Sequence, residues 1–399
     1  MVKNIVYFII GVMAVFMIRP LQIMAAEGNM TAETDGKLSI GIEAPHAILM
    51  EASTGMILYE KDANVSVSPA SVTKIMTMLL IFEALEENKI KLEDTVVVSE
   101  KAASMGGSQV FLESGEKQTV DTMLKCIAIA SANDACVAMA EYVSGSEEAF
   151  VNKMNERAKE LGMKNAHFIN CNGLDAEGHK MSAHDVAIMS RELLINHPQV
   201  HDYCTIWMDN IMHHTAKGSQ EFGLNNTNKL IRQYEYCTGL KTGSTSEAGF
   251  CVSATALKDD MELIAVIMNG ETSKSRFLDA VTLLNYGYAN YQIYKDTDKE
   301  REELSPITVK AGVETTVMPV YEKEFSYLLM NGESLTSIEK KIELPDEIKA
   351  PIEEKQVIGT LSYYHGSKKL GEVPIIAEKE VKAAKYSDYV KRVWLAWMM

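Results

Sequence analysis

Residues 68–84 have the sequence SPASVTKIMTMLLIFEA, and they predict a buried helix with reactive groups at its N-terminal end. Ser68 and Pro69 are helix-start residues, and the run from there to Ala84 contains no glycine and no further proline. Residues three apart share one face of a helix. We therefore expect the Ser71 hydroxyl and the Lys74 amine to be in contact.

The Ser71 and Lys74 pair suits nucleophilic catalysis, because a serine hydroxyl reacts well only when a neighbouring base takes its proton. Lysine is such a base only when it is neutral, which means lowering its pKa from ~10.4 to near 7, at a cost of about 4 kcal/mol. Burial beside apolar side chains and a second nearby cation would lower the pKa in this way. The start of the helix also offers free N–H groups to a developing oxyanion.

The Ser-x-x-Lys pattern alone is weak evidence. The same spacing recurs at Ser114/Lys117 and Ser337/Lys340, in stretches that no buried helix follows. The alternative for the first copy is an ordinary helix cap. The rest of the chain has to decide between the two.

Composition and length bound the domain number and argue against one class of function. The chain has 399 residues, of which 47% are hydrophobic, and its formal net charge is -16. The length favours two domains, and the acidic balance argues against a nucleic-acid partner.

The cysteines and histidines indicate neither a disulfide framework nor a metal site. His213 and His214 are adjacent, and His179 and His184 flank a predicted helix cap at Ser182, so none has metal-ligand spacing. No metal or cofactor is predicted. Six cysteines without a Cys-x-x-Cys pair indicate buried thiols, at Cys126, Cys136, Cys171, Cys204, Cys237 and Cys251.

The N-terminal segment 1–26 predicts a secretory signal peptide, with Lys3 before the apolar run Ile5–Ile18 and small residues at Ala25 and Ala26. An uncleaved anchor is the alternative, because Arg19-Pro20 and Met24 are unusual near a cleavage site. Either way we expect the body of the protein to lie outside the cytoplasm. The polar segment 27–37 that follows is expected to be loose.

Residues 38–291 predict one α/β domain. A hairpin is expected at 46–60, two helices at 120–142 broken around Ser131-Ala132-Asn133, and further helices at 147–162 and 183–196. A turn at 171–175 is followed by strands at 239–243, 249–257 and 261–268 and a helix at 277–288. Strands at both ends with helices between them predict a sheet flanked by helices, with a helical insert.

Beyond this domain the pattern changes twice. The charged segment 293–303 is expected to be a linker, and 303–379 predicts a small all-β domain with turns at Asn331-Gly332 and His365-Gly366. Residues 381–399 predict an amphipathic helix lying on a membrane surface, with packing on the protein itself as the alternative. Its apolar positions at helical spacing are Tyr386, Tyr389, Val390, Val393, Trp394 and Trp397.

Two further motifs strengthen the interpretation of Ser71 as a catalytic residue. Ser131-Ala132-Asn133 at a helix break combines a hydroxyl that can relay a proton with an amide that can bind a peptide carbonyl; the alternative is a helix cap formed with Asp134. Lys241-Thr242-Gly243 on a strand combines groups that can hold a carboxylate with a glycine against which a substrate backbone can lie. Its alternative is an ordinary strand end.

In this order, and roughly 60 and roughly 110 residues apart, the three motifs resemble the Ser-x-x-Lys, Ser-x-Asn and Lys-Thr-Gly set of penicillin-binding proteins and serine β-lactamases. The sequences SPAS (68–71), SANDAC (131–136) and KTGSTSEAG (241–249), together with the β domain and the tail, resemble the low-molecular-mass D-alanyl-D-alanine carboxypeptidases. The resemblance implies a β-lactamase/transpeptidase-like fold over the catalytic domain.

The resemblance also implies a reaction. Ser71 would attack the bond between the two terminal D-alanines of a peptidoglycan stem peptide, with Lys74 as general base and Ser131 passing the proton to the leaving D-alanine. Asn133 would orient the substrate. β-Lactam antibiotics, which mimic this peptide end, would acylate Ser71 and remain bound.

On the strand, the resemblance implies that Lys241 and Thr242 grip the terminal carboxylate and that Arg276 helps them. The backbone N–H groups of Ser71 and Ser244 would form an oxyanion hole. Some relatives carry histidine in place of Ser244; only its backbone is needed, so activity should survive.

Three other functions stay open from the sequence. A β-lactamase is disfavoured because no clear glutamate motif for deacylation lies between Ser131 and Lys241. An endopeptidase acting on cross-links would use the same motifs. A catalytically idle, membrane-tethered cell-wall binding protein is disfavoured by three intact motifs.

Overall fold

The computed structural model describes residues 31–32, 38–215, 218–296, 301–330 and 338–398. The expected signal peptide at 1–26, most of the polar segment 27–37 and the expected turn at Asn331-Gly332 lie outside these ranges. The chain up to Gly41 forms a separate unit, in which Thr31–Ala32 (β1) pairs antiparallel with Leu38–Ser39 (β2).

From Ile42 onward, two strands are followed by a mainly helical stretch and then by three more strands. The strands are His46–Glu51 (β3), Ile57–Lys61 (β4), Thr95–Val97 (β5), Lys117–Thr119 (β6), Met208–Thr215 (β7), Gly218–Asn225 (β8), Cys237–Thr245 (β9), Gly249–Lys258 (β10) and Met261–Gly270 (β11). The helices are Lys74–Glu86 (α1), Glu100–Ala103 (α2), Val120–Ala128 (α3), Asn133–Ser144 (α4), Glu147–Glu160 (α5), Ala183–Asn196 (α6), Val200–Cys204 (α7), Leu230–Gln233 (α8) and Ser273–Asn290 (α9).

The central sheet has five antiparallel strands in the order β4-β3-β11-β10-β9. It joins strands from the two ends of the domain, as predicted, with the helical stretch between them in sequence. Strand β9 forms one edge, and it carries the Lys241-Thr242-Gly243 motif.

Alternating residues of the sheet face two layers of helices. Ile48, Ile264 and Val266 join the core of the helical insert. On the other face, Gly287 of α9 lies so close to the sheet that a β-carbon there would be 2.4 Å from Leu263 Cδ1. The sheet therefore lies between the insert and α9.

Helix α1 is the centre of the insert. It is apolar on every side, and all of its residues from Lys74 to Phe82 are buried. A helix of this kind is stable only when other elements surround it, and α1 packs against α3, α4, α5 and α6. Because α1 is buried, the Lys74 side chain is shielded from solvent.

The C-terminal region is built of strands, as predicted, but it begins earlier than expected. Tyr291–Asp296 (β12) continues directly from α9 and pairs with Phe325–Met330 (β16), so the expected linker at 293–303 is wrong over 293–296. Tyr363 and Lys340 both donate hydrogen bonds to the buried Asp296 carboxylate, at 2.6 Å and 2.5 Å, which ties β12 into this region.

The remaining strands of this region are Ile307–Lys310 (β13), Thr316–Val317 (β14), Pro319–Tyr321 (β15), Glu339–Glu343 (β17), Glu347–Lys349 (β18), Val357–His365 (β19) and Lys368–Ala377 (β20). They form two small sheets, in the orders β14-β13-β18 and β15-β20-β19-β17. The predicted turn at His365-Gly366 joins β19 and β20.

The chain ends in helix α10, Tyr386–Met398. Trp394 and Trp397 are 66% and 91% exposed. Arg392 donates hydrogen bonds to the carbonyl oxygens of Gly312 and Val313, which joins the helix to the β region. Within the described ranges, no helix combines the length and apolar character needed to cross a membrane.

Candidate active site

Ser71 and Lys74 are in contact, as the sequence predicts. The Lys74 Nζ to Ser71 Oγ distance is 2.9 Å. The local structure is a 3-10 turn, Ala70–Thr73, that leads into α1, and neither helix start has a side-chain cap. The alternative that Ser71 is an ordinary helix cap is therefore wrong.

Lys74 has three hydrogen-bond partners, and they differ in kind. Its amine lies 2.7 Å from Asn133 Oδ1 and 2.6 Å from the Asn172 carbonyl oxygen, both of which only accept, and 2.9 Å from the Ser71 hydroxyl, which can accept or donate. A neutral amine has two N–H groups and one lone pair. It therefore fits this site with both N–H groups on the two acceptors and the lone pair facing the Ser71 O–H.

Burial favours this neutral form. Lys74 is 0% exposed, and the loss of hydration lowers its pKa, against the opposing influence of Cys136, Cys171 and Asp134. Of the two causes expected from the sequence, burial is the one that lowers the pKa of Lys74.

Ser131 lies on the opposite side of the site and contacts the second lysine. Lys241 Nζ donates to Ser131 Oγ at 2.9 Å and to the Thr242 carbonyl oxygen at 3.0 Å. Ser131 has a φ of 60°, a left-handed conformation that is uncommon for serine and typical of functional turns. The two motifs 110 residues apart thus meet at one hydrogen bond.

The helix-cap alternative for Ser131 is wrong. Helix α4 begins at Asn133 after Ala132, without a side-chain cap. Asp134 is buried and its carboxylate accepts from the backbone N–H groups of Val110 and Leu112. It fixes the loop that precedes β6 instead of capping the helix.

Lys241 is also buried, with 1% of its surface exposed. Burial lowers its pKa to about 7, and repulsion from Lys74 adds to the effect. Like-charge repulsion between the two lysines therefore acts on Lys241. Two buried amines in one site share the cost of charge, so protonation of one disfavours protonation of the other.

Asn133 links Lys74 to the loop that precedes β6. Its Oδ1 accepts from Lys74, and its Nδ2 donates to the Gly106 carbonyl oxygen at 2.7 Å. Its backbone N–H donates to Ser108 at 2.7 Å. These contacts hold the amide plane in one orientation.

Gly243 is where strand β9 meets the turn that carries Ser71. A β-carbon at this position would lie 2.7 Å from Ser71 N and 3.0 Å from Val72 N, so no other residue fits without displacing backbone. Next to it, the Thr242 hydroxyl lies 2.7 Å from that of Thr227, and Ser244 is exposed. The strand is thus packed against the Ser71 turn at Gly243 and exposed to solvent at Ser244.

Arg276, from the first turn of α9, lies beneath this strand. Its Nη1 donates to the carbonyl oxygens of Gly243 and Cys251, at 2.8 Å and 3.1 Å. Burial lowers its pKa to about 10, which leaves it charged near neutral pH. It therefore supports the motif strand from behind and places a fixed positive charge there.

Sequence reasoning missed the contribution of the segment 170–174, because it predicted only a turn at 171–175. The Asn172 carbonyl oxygen accepts from Lys74, and a β-carbon on Gly173 would lie 2.0 Å from the Ala70 carbonyl oxygen. Asn170 Oδ1 fixes the turn by accepting from Gly173 N at 2.7 Å. The Asn-Gly pair was a signal for a tight turn, but nothing local indicated its neighbours.

Among the described residues, no cluster of histidine, cysteine and acidic side chains could hold a metal ion. The site consists of a serine in contact with a buried amine, a second serine on a second amine, and backbone N–H groups at a turn. With the antiparallel sheet and helical insert around it, this defines a serine acyl-transfer enzyme of the transpeptidase-like type.

Comparisons with known proteins agree with this class. The D-alanyl-D-alanine carboxypeptidase family model matches residues 30–272, and the penicillin-binding protein 5 C-terminal domain model matches residues 288–383. The chain is 44% identical to the D-alanyl-D-alanine carboxypeptidase DacF of Bacillus subtilis over 92% of this chain and 93% of that protein. It is 31% identical to DacC of Escherichia coli over 88% of each chain.

Among solved structures, penicillin-binding protein 5 of Haemophilus influenzae superposes with a TM-score of 0.67 at 28% identity, covering 86% of this chain and 98% of that one. The chain belongs to the D-alanyl-D-alanine carboxypeptidase family. The predicted family, the predicted fold with its appended β domain, and the predicted serine-type carboxypeptidase function are confirmed.

Proposed function

We propose that the reaction proceeds through an acyl-enzyme on Ser71, with a peptidoglycan stem pentapeptide ending in D-alanyl-D-alanine as substrate. The observation that carries this proposal is the contact of Ser71 Oγ with the buried Lys74 amine. The two other hydrogen-bond partners of that amine can only accept hydrogen bonds. That arrangement supports proton transfer from the hydroxyl to Lys74 as Oγ attacks the carbonyl carbon.

In the first step the Oγ–C bond forms and the C–N bond to the terminal D-alanine breaks. The proton from Ser71 goes to Lys74 and from there, through Ser131, to the leaving amine, which departs as D-alanine and leaves Lys74 neutral again. Water then hydrolyses the ester, restores the Ser71 hydroxyl and releases the shortened stem peptide. The backbone N–H groups of Ser71 and Ser244 would stabilise the oxyanion in both steps.

We assign substrate binding to Asn133, Lys241, Thr242, Gly243 and Arg276. Because Gly243 packs against the Ser71 turn, a substrate backbone lying along β9 would pass beside Ser71. Arg276 is a fixed positive charge next to the strand, and Lys241, whose pKa is about 7, adds a second positive charge when it is protonated. Lys241 acts mainly through that charge, because two of its N–H groups are held by Ser131 and Thr242. Thr242 presents a hydroxyl to the terminal carboxylate.

The test is intact-mass measurement after exposure to penicillin, with the modified peptide mapped, alongside an assay of free D-alanine from a stem pentapeptide. We expect one adduct on Ser71, slow loss of that adduct, and no adduct with Ser71→Ala. Ser114→Ala is the matched control, because Ser114 has the same spacing to a lysine but lies in a loop.

Each other outcome identifies a rival. Fast turnover of bound penicillin would favour a β-lactamase. Split dimers without free D-alanine would favour an endopeptidase on cross-links. A chain that takes no label would be a cell-wall binding protein, and an adduct outside residues 68–80 would remove Ser71 from its role.

We also propose that residues 1–26 are a signal peptide, that residues 38–291 form the catalytic domain and 303–379 the β domain, and that the enzyme works on the outer face of the cell membrane. Exposed aromatic residues on α10, with Lys385 and Lys391 beside them, support membrane association through 381–399. The Arg392 contacts favour the alternative, a helix packed on the β region.

Sedimentation with vesicles separates the two. We expect the full chain to bind anionic vesicles, and both Trp394→Ser/Trp397→Ser and a chain lacking 383–399 to stay in solution. Binding that persists in the truncated chain would show that the tail is not the anchor. N-terminal sequencing of the secreted protein tests cleavage after residue 26.

A further inference from the structure

The peptide unit between Ala70 and Ser71 contains both the Ala70 carbonyl and the Ser71 N–H. Because the unit is planar, holding the carbonyl oxygen in one direction holds the N–H in the opposite direction. Ala70 has a φ of 50°, which a residue with a β-carbon rarely adopts. Something must therefore hold this unit in place against a tendency to relax.

The Thr73 side chain makes one of the holding contacts. Its hydroxyl donates to the Ala70 carbonyl oxygen at 2.8 Å. Gly173 closes the other side, since a β-carbon there would lie 2.0 Å from the same oxygen. The Thr73 hydroxyl has a single hydrogen, so its other partner must donate to it.

That other partner is His179, whose Nε2 lies 2.8 Å from Thr73 Oγ1. The backbone N–H of Ile169 donates to His179 Nδ1 at 2.9 Å, so Nδ1 is the acceptor and the ring hydrogen is on Nε2. The ring is 1% exposed, and burial lowers its pKa to about 4, so it is neutral near pH 7. The direction of every hydrogen bond from Ile169 to Ala70 is thereby fixed.

We propose that His179 and Thr73 are positioning residues that aim the Ser71 N–H at the developing oxyanion. The inference rests on the proposed function, in which that N–H is an oxyanion donor. Each hydrogen bond in such a chain polarises the next, so the chain also strengthens the Ser71 N–H as a donor. His179 has no contact with the hydroxyl of Ser71 or with Lys74 in the structure, and it acts through the backbone.

Two substitutions at each position separate this role from simple packing. His179→Asn keeps an acceptor near the Nδ1 position but has no group at Nε2, whereas His179→Gln restores a donor near Nε2. Thr73→Val removes the hydroxyl at nearly constant shape, whereas Thr73→Ser keeps it. His167→Asn is the matched control, because His167 is an exposed histidine whose backbone pairs with Lys180, the residue after His179.

The measurements are kcat and KM for an acyl-D-alanyl-D-alanine peptide, the affinity for a boronic acid analogue that forms a tetrahedral adduct on Ser71, and the unfolding temperature. Loss of one oxyanion donor typically costs about 100-fold or more in kcat, so a misaimed donor should cost roughly 10- to 100-fold. We expect His179→Asn and Thr73→Val to lower kcat and boronate affinity by that factor, with KM nearly unchanged. His179→Gln, Thr73→Ser and His167→Asn should retain most of both.

The double variant Thr73→Val/His179→Asn should lose no more than the worse single variant, because the two residues act as one chain. The inference is overturned if the loss variants keep boronate affinity, or if Gln and Ser lose as much as Asn and Val. Should His179→Asn not fold, Thr73→Val alone decides by the same criteria. Ser71→Ala is measured in parallel: if it retains activity, the proposed function fails, whereas inactive Ser71→Ala beside fully active Thr73→Val refutes only this inference.

Discussion

Gly243→Ala is the most direct test of how strand β9 and the Ser71 turn are assembled. The added β-carbon would lie 2.7 Å from Ser71 N, 3.0 Å from Val72 N and 3.1 Å from the Ala70 β-carbon. Ordinary contact begins at 3.4 Å, so the strand and the turn must separate by 3.4 − 2.7 = 0.7 Å along the shortest line. Backbone forms two of the three contacts and cannot move aside as a side-chain end could.

A shift of this size exceeds the tolerance of a reacting site, which is about 0.5 Å, and a displacement of about 1 Å costs on the order of 100-fold in rate. We therefore expect Gly243→Ala to lower the second-order rate of acylation by a fluorescent penicillin by roughly 10- to 100-fold. Overpacking of this kind costs about 1–3 kcal/mol in stability, so the variant should still fold. The Lys74 to Ser71 contact is left intact.

Gly223→Ala is the matched control, because it makes the same change on strand β8, where the nearest atom would be at an ordinary 3.5 Å. It should acylate at the wild-type rate. If Gly243→Ala also acylates at that rate while remaining folded, the strand does not need to approach the turn this closely and the reasoning fails. A variant that loses acylation only in proportion to its unfolded fraction would contradict it as well.

Four further predictions concern charged or titratable side chains in and beside the site. Lys74→Met should lower penicillin acylation by about 100- to 10,000-fold, the usual contribution of a general base, while circular dichroism shows a folded protein. Since the pKa of Lys241 is about 7, its charge is lost as pH rises through that value, so KM for a substrate with a free carboxylate should rise above pH 7 and be less pH-dependent for a substrate ending in an amide. The unfolded state binds this proton up to pH 10.5, so the wild type should gain stability relative to Lys241→Met between about pH 7 and pH 10.5, as measured by denaturant titration. Asp134→Asn should cost about 1–3 kcal/mol in unfolding free energy, because an amide replaces one of the acceptors for the Val110 and Leu112 N–H groups.

The parts of the site that the sequence predicts are those in which neighbours in sequence are neighbours in space. The contact between Ser71 and Lys74 follows from their spacing, and the apolar run after them makes α1 buried. That the Ser131 and Lys241 motifs meet Ser71 was predicted from the order of the motifs along the chain and from the family resemblance based on that order. The same local logic predicted helix α6, whose ends at Ala183 and Asn196 match the expected ones.

The parts that sequence did not predict depend on packing between distant segments. The carbonyl oxygen of Asn172 is a ligand of Lys74 only because the segment 170–174 is folded against α1, and a backbone carbonyl has no signature in sequence. His179 was predicted only as a neighbour of a helix cap, because nothing local indicates that Thr73 faces it. Strand β12 was not predicted, because its charged residues are typical of a linker. It pairs with β16, and its Asp296 is buried and accepts a hydrogen bond from Tyr363.

The two buried lysines have different partners, and that difference decides which one can serve as base. Lys74 faces two pure acceptors and a hydroxyl with a proton to give, whereas Lys241 faces one pure acceptor and the Ser131 hydroxyl. In the proposed mechanism, a substrate carboxylate arriving beside Lys241 raises the pKa of that lysine, because it stabilises the charged form. A charged Lys241 in turn disfavours charge on Lys74, since both amines are buried in one site. Binding of an anionic peptide end thus favours the protonation state in which Lys74 can take the proton of Ser71, and a neutral ligand in the same place would not.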